Sequence, residues 1–530
     1  MADLAPVSRG YWVVSRSTMS PATSHGASAI GFGRRAVASL WAAVLGPYLV
    51  LALCVPVARS LGAFERLPVP TLAALGVIAG PLSIAAFPRL CAALPEALDG
   101  WFGPQHRWRA ALWAVGALLA ALSFARIAVF LADPSRVDCS LMPADAFLVR
   151  HSCLTAYMHA AILSMDPGAN VYDLAIVEGV GDVPPPLPPT AAHFAPFMLD
   201  AYGYPPPFLL LPRALLWVTR SFFSQRLLFG AASLALALYA CAAMAATLGG
   251  AAGRRAWLLA PILLANPSVL VTLQVGNFHL AAVALCVLCW VALERRHDGR
   301  AGALLAAVTL AKIFPGLLGV LLLVQRRWRA AAVTCAAAAA LCALSVLVLG
   351  TKTWGDFLFY HLPLVQSGEA LRFLDRSTRE IAFNLAPFGL AFKLRELGFA
   401  GWGWPQARMI GSVYTVLLLA LAALAGRNRG SAAHRLTVWL AVVMLASLRS
   451  PYAAPFVLST MVVLLVVLAA EVHSRRGLAA YVAFWALVSV PTPGHDAAVL
   501  VAVSLARALA LYAVLVWAAL RPERVTAPEP

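Results

Sequence analysis

The sequence predicts an all-α polytopic membrane protein, a helical bundle of about 11–14 membrane segments with two long non-cytoplasmic loops. Three observations carry that prediction. Of 530 residues, 62% are hydrophobic and 12% charged, whereas soluble domains hold about 45–50% apolar and ~25% charged residues. Runs of about 20 apolar residues recur almost end to end, each long enough to cross ~30 Å of hydrocarbon. Between the runs stand short loops rich in arginine, the pattern of cytoplasmic connections. Together these exclude a soluble enzyme on one anchor, a disordered chain and a coiled coil. The 40 basic and 23 acidic residues leave a charge of +17, which reads as positive-inside bias rather than nucleic-acid binding.

Residues 1–36 carry basic side chains but no apolar run before Val37, so they read as a cytoplasmic tail and not a cleaved signal peptide. The membrane domain follows over 37–520, and 521–530 form a cytoplasmic C-terminal tail. Apolar runs place helices near 37–58, 69–87, 110–131, 227–249, 256–273, 277–293, 331–350, 408–425, 435–449, 456–471, 478–492 and 497–520. Two shorter runs, 301–311 and 315–324, flank Lys312-Ile313-Phe314-Pro315. Neither crosses alone, because a helix rises 1.5 Å per residue.

Sidedness chooses between a kinked span and a hairpin for these two. Arg34/Arg35, Arg107/Arg109, Arg254/Arg255, Arg295/Arg296, Arg326/Arg327/Arg329, Arg427/Arg429/Arg435 and Arg475/Arg476 mark cytoplasmic loops. Keeping 294–300 and 325–330 on one side requires the hairpin. Placing 251–255 on that side as well makes the proline-broken segment 205–219 re-entrant or interfacial. Irregular backbone at membrane depth survives only where it lines a cavity or is buried in protein. An internal polar site is therefore expected.

Two long external loops remain. The first, 132–204, holds Asp133, Asp138, Asp145, Asp166, Asp173, Glu178, Asp182 and Asp200 against Arg136 and Arg150. The second, 351–407, holds Trp354, His361, Glu369, Asp375, Glu380, Trp402 and Trp404. Loops this long are usually functional, and their polar and aromatic side chains suit a carbohydrate or a lipid head group; solvated connectors are the plainer reading. Cys139 and Cys153 share the first loop, where a disulfide is conceivable in an oxidising compartment. No cysteine or histidine spacing suggests a metal site.

A carboxylate just after a membrane helix is well placed to take a proton from a sugar hydroxyl while a glycosyl phosphate leaves from the opposite face. Lys312 stands alone in an apolar stretch, either a ligand for phosphate or a partner of a carboxylate or carbonyl. Gln274, Asn277 and His279 cluster at an external helix turn, where they bind hydroxyls or satisfy helix ends. Arg449, before Ser450-Pro451, clamps a phosphate or snorkels to the interface. Arg379, Glu380 and Asn384 sit where the second loop re-enters the membrane. His151 and His159 fall eight apart on one apparent helical run, a spacing compatible with acid–base work.

The order of signals resembles glycosyltransferase family 87, the bacterial polyprenyl-phosphate-sugar-dependent enzymes of GT-C fold related to mycobacterial α-mannosyltransferases. An early loop carboxylate is followed by Gly168…Val171-Tyr172-Asp173 and Tyr204-Pro205-Pro206. Then come Asn266-Pro267…Gln274-Val275-Gly276-Asn277, Lys312-Ile313-Phe314-Pro315, Arg326-Arg327-Trp328-Arg329 and Arg449-Ser450-Pro451-Tyr452. The chain departs from the pattern in its two extra N-terminal spans, a long stretch between Asp145 and Tyr172, and Ala453-Ala454 where many relatives carry histidine.

The resemblance implies an inverting transfer of a sugar, often mannose, from a polyprenyl phosphate to a lipid or glycan acceptor on the non-cytoplasmic face. The family's base falls on Asp145, with Asp138 as the fallback. Lys312, Arg449, Gln274, Asn277, His279, Tyr204 and Asn384 are the expected substrate contacts. No metal or other cofactor is expected, since phosphate is a tolerable leaving group whose charge Lys or Arg can neutralise. The alternatives are a transporter or flippase of lipid-linked saccharide, which usually shows paired internal repeats, and an assembly subunit of an envelope complex. Richness in Ala, Arg and Gly fits a GC-rich genome and a bacterial plasma membrane.

Overall fold

A computed structural model describes residues 30–522 apart from 87, 104, 106, 175–188, 376, 429, 473 and 491–495. The two expected tails lie almost wholly outside the described residues, as do Glu178, Asp182, Arg429 and most of the proline-rich 184–189. Everything described is helix, turn or loop, and no strand occurs among the described residues. The chain is an all-α multi-pass membrane protein.

Among the described residues, seven helices are long and apolar enough to cross a membrane: Phe32–Ser60, Val69–Ala86, Arg107–Ala132, Phe222–Leu248, Trp328–Leu349, Trp404–Ala425 and Ala497–Leu520. Each coincides with an apolar run of the sequence to within a few residues. Five shorter apolar helices stand beside them among the described residues: Pro206–Val218, His279–Glu294, Phe314–Val324, Ala432–Ser447 and Pro455–Glu471. The single span expected at 256–273 is instead two helices, Gly250–Leu264 and Pro267–Val275, bent by 59°. Asn266 causes the break, because its side chain accepts from the Ser268 N–H at 2.9 Å and so starts a new helix. Pro267 occupies the first position of that helix, where no N–H is required.

The hairpin at 298–324 is closed at its base, where Arg327 Nη1 lies 3.5 Å from Asp298 Oδ1. Both ends of the pair therefore share a side. Other ion pairs gather at the same basic end: Arg435 grips Glu294 with two nitrogens, and Arg521 pairs with Glu471 at 2.6 Å. Arg255 donates to the carbonyls of Ala469 and Ala470, the last turn of Pro455–Glu471. Charges at this end thus tie helix termini to one another.

The two N-terminal spans enlarge the bundle. Phe32–Ser60 packs along Val69–Ala86 and also against Arg107–Ala132 and Phe222–Leu248. Glycine makes the first contact possible: a Cβ on Gly46 would fall 2.1 Å from the Gly76 carbonyl, and one on Gly80 would fall 2.4 Å from that of Ala42. Small residues at such crossings let backbones approach without steric clash. The two long loops meet each other through Asp145 and Arg379.

Candidate functional site

Asp145 starts the short helix Ala146–Arg150, its Oδ1 accepting from the Leu148 N–H at 3.1 Å. Its Oδ2 accepts from Arg379 Nη2 at 2.7 Å. Arg379 comes from Thr378–Phe383 in the second loop, and its guanidinium lies over Phe147, 4.8 Å from the ring centroid. Asp145 and Arg379 thus join the two long loops. Asp138, the fallback, is exposed on a separate turn and meets the Cys139 thiol at 3.7 Å.

Gln274 shapes the turn that carries Asp145. Its Oε1 accepts from the Leu141 N–H at 2.6 Å and its Nε2 donates to the Leu148 carbonyl at 2.9 Å. The two contacts bracket Asp145 in sequence. Gln274 is fully buried, and its own carbonyl accepts from Arg226 Nη2 at 3.1 Å. The buried Arg226 guanidinium is otherwise held against rings, 4.0 Å from the centroid of Phe197 and 5.5 Å from that of Phe130.

Helix Pro267–Val275 ends at Gly276, where φ is +68° and a Cβ would sit 3.1 Å from that of Leu154. Glycine meets both demands. The turn delivers Asn277, whose Oδ1 accepts from the His279 N–H and from Lys312 Nζ, both at 2.9 Å. Its Nδ2 donates to Cys153 Sγ at 3.3 Å. Lys312 stands at the tip of the hairpin, part-buried, with its Nζ 5.4 Å from the ring centroids of Tyr204 and Phe456. No carboxylate pairs with it among the described residues. The next residue, Ile313, has φ +42°, a conformation strongly disfavoured for a β-branched side chain and of the kind that collects at functional sites.

Tyr204 is held by the first loop. Its hydroxyl lies 2.8 Å from that of Tyr157, and its carbonyl accepts from the Tyr172 hydroxyl at 2.8 Å. His361 stacks on Tyr172, with 4.9 Å between centroids. His279 pairs through Nε2 with Thr460 Oγ1 at 3.1 Å and stacks on Phe314 of the hairpin. Asn384 accepts from the Ala386 and Ala453 N–H groups at 2.9 and 3.0 Å and donates to the Pro451 carbonyl at 2.9 Å. The late Ser450-Pro451-Tyr452 motif is thereby clipped to the second loop, and the Tyr452 hydroxyl donates to Glu380. Arg449 is exposed at the end of Ala432–Ser447.

Two expectations are corrected. His151 and His159 do not share a helix: Ala146–Arg150 ends at His151, and a new helix runs from Cys153 to Leu163. Cys139 and Cys153 are both free thiols, since Cys153 is buried between His151 and Asn277 while Cys139 faces Asp138. Sequence reasoning missed the convergence of His151, Cys153 and Asp200. His151 Nε2 lies 3.4 Å from Cys153 Sγ and 3.9 Å from Asp200 Oδ2, and the three donor atoms all fall within 4.8 Å of one another. The His-x-Cys spacing was the only local signal for it.

A cleft of ≈ 230 Å³ lined by His159, Asp173, Asp200 and Tyr202 opens beside this cluster. A larger one, ≈ 430 Å³, lies at the basic end around Glu294, Arg327 and Arg435. Only the first adjoins the side chains brought together by the loops.

Residues 202–451 match glycosyltransferase family 87. No curated protein and no solved structure matches the chain. The matched stretch contains Tyr204, Gln274, Asn277, His279, Lys312, Arg379, Asn384 and Arg449, whereas Asp145, His151, Cys153 and Asp200 precede it.

Proposed function

We propose, from the premise that residues 202–451 belong to glycosyltransferase family 87 and make this chain a membrane glycosyltransferase, that it moves a sugar from a polyprenyl phosphate to a lipid or glycan hydroxyl. Mannose is the sugar that the family resemblance suggests, and the non-cytoplasmic face of a bacterial plasma membrane is the setting. In the transfer, the acceptor oxygen attacks C1 of the donor sugar and its proton passes to Asp145. The bond from C1 to the phosphate oxygen breaks with its electron pair, so the polyprenyl phosphate leaves and the anomeric centre inverts. Lys312 and Arg449 take up the charge that develops on the departing phosphate.

One observation carries this reading. A single helix end orients both the proposed base and the proposed phosphate ligand: Gln274 brackets the Asp145 turn, and Asn277, three residues on, holds Lys312. Lys312 lies within a membrane protein with an amide and two rings for neighbours, a setting that favours an incoming anion over an internal ion pair. Asp145 retains accepting capacity, because each carboxylate oxygen has a second lone pair beyond its present partner. Gln274, Asn277, His279 and Asn384 spend their polar atoms on the protein. We assign them to positioning, leave Lys312 and Arg449 as the polar substrate contacts, and give Tyr204, whose hydroxyl meets Tyr157, a contact through its ring beside Lys312.

The test is transfer from radiolabelled polyprenyl-phosphate mannose to mixed membrane lipids by purified protein. Asp145→Asn should lower turnover by about 10²–10⁴-fold, the usual worth of general base catalysis, while carrier binding persists. Lys312→Met should weaken donor binding and turnover together. Full transfer by Asp145→Asn would remove Asp145 from the mechanism and bring Asp138 forward. Carrier crossing the bilayer with no new glycosidic bond would turn the assignment to a transporter.

A further inference from the structure

His151, Cys153 and Asp200 have no part in the transfer just described, yet they form the one group of three donors among the described residues whose geometry suits a metal ion. The three come from different local structures. His151 follows the last turn of Ala146–Arg150, Cys153 opens Cys153–Leu163, and Asp200 lies in the extended approach to Tyr202. The folding of the first loop, and not one helical repeat, brings them to a point.

The donor set is an imidazole nitrogen, a thiol sulfur and a carboxylate oxygen. A tetrahedral zinc site places such ligands about 2.0–2.3 Å from the ion, and hence about 3.3–3.6 Å from each other. The observed 3.4 Å from His151 Nε2 to Cys153 Sγ already matches, while the 3.9 Å to Asp200 Oδ2 and the remaining Cys153–Asp200 pair, within 4.8 Å, need a closure of up to about 1 Å. The surroundings support ligation. Asn277 Nδ2 donates to Cys153 Sγ at 3.3 Å, a contact that orients the sulfur as outer-shell partners orient metal ligands. The His151 ring is held flat against Phe147, with 4.8 Å between centroids and 12° between planes. Asp200 accepts from the Ala201 N–H through Oδ1, which leaves Oδ2 facing His151. Asp200 also lines the neighbouring cleft beside His159 and Tyr202.

We propose that His151, Cys153 and Asp200 form a binding site for a divalent transition-metal ion of zinc type, with the fourth coordination position open to water or to a substrate oxygen. Three protein ligands and an open position distinguish such a site from the closed four-ligand sites that only hold a fold together. The mixed N, S and O donors select zinc or cobalt over magnesium and calcium, which prefer oxygen alone. All three ligands come from the first loop, and their metal binding is read without the transfer reaction, so it is tested separately from the roles given to Asp145 and Lys312.

The experiment is cobalt titration of the purified full-length protein in detergent after treatment with a chelator. Stoichiometric binding is expected, with a thiolate-to-cobalt absorption band in the near ultraviolet that zinc abolishes by displacement. Cys153→Ser should remove the band and Cys139→Ser should keep it. Asp200→Asn changes a half-exposed side chain and leaves packing intact; it should keep the band and weaken cobalt binding by at least about 10-fold. That variant carries the test if Cys153→Ser does not fold. Absence of stoichiometric binding, a band that survives Cys153→Ser, or unchanged affinity in Asp200→Asn would each overturn the site.

Discussion

Replacing Gln274 by leucine removes two hydrogen bonds and almost no volume. The Leu141 N–H and the Leu148 carbonyl lose their side-chain partner in a part-buried setting. A stranded polar group of this kind costs about 1–3 kcal/mol, and part burial puts each nearer the low end, for a total of about 2–4 kcal/mol. That energy is concentrated on the six residues between those two groups, the stretch that carries Asp145. Main-chain contacts of Gln274, including its carbonyl to Arg226, persist. Loosening therefore falls on the base, and a displacement of about 1 Å at a reacting group costs about 10²-fold in rate. The assay is the labelled transfer reaction with kcat and KM for the donor separated, beside thermal unfolding in detergent. We expect kcat to fall by about 10²-fold with donor KM little changed, because Lys312 is held by Asn277 and not by Gln274. Gln274→Glu keeps an acceptor for Leu141 while losing the donor for Leu148, so it should lie between wild type and Gln274→Leu. Full transfer by a protein destabilised as calculated would refute the coupling between Gln274 and Asp145.

Arg379→Met deletes the guanidinium that meets Asp145 and covers Phe147; the pair is partly exposed, so unfolding should shift by less than about 1 kcal/mol while turnover drops clearly. Equal losses of stability and activity on a scale of several kcal/mol would instead mark Arg379 as a core element. His361, in the second long loop, has its acid constant moved from 6.5 down to about 4 by burial, and stacks on Tyr172. Its neutral form is the folded form: above pH 6.5 both states are neutral and stability is complete, and between 6.5 and 4 the unfolded chain takes a proton that the folded one refuses. Stability should therefore decline by up to about 3 kcal/mol as pH falls through that window, and His361→Phe should flatten this part of the melting profile. An unchanged profile in the variant would assign the acid sensitivity elsewhere.

Much of the bundle is legible in the sequence because lipid imposes one simple requirement. A helix in hydrocarbon needs an apolar run of sufficient length, and the seven long helices coincide with such runs. The hairpin at 298–324 followed from arginine placement, and the Asp298–Arg327 pair closes it. The break at Asn266-Pro267 was written in the residues as well, yet the apolar run across it concealed the 59° bend.

The site is a different matter. Asp145, Gln274, Lys312 and Arg379 each stood out as polar residues near a membrane boundary, but nothing in their spacing says which meets which. Gln274 reads as a substrate contact until Leu141 and Leu148 are seen to occupy its amide. Asp200 reads as one hydrated acid among many until it faces His151 and Cys153. Sequence by itself determined which segments form the long apolar helices, because hydropathy acts locally along the chain. Only the tertiary structure decided which loop residues share a site, because hydrogen bonds and ion pairs act over about 3 Å and require the two long loops to be folded onto one helix end.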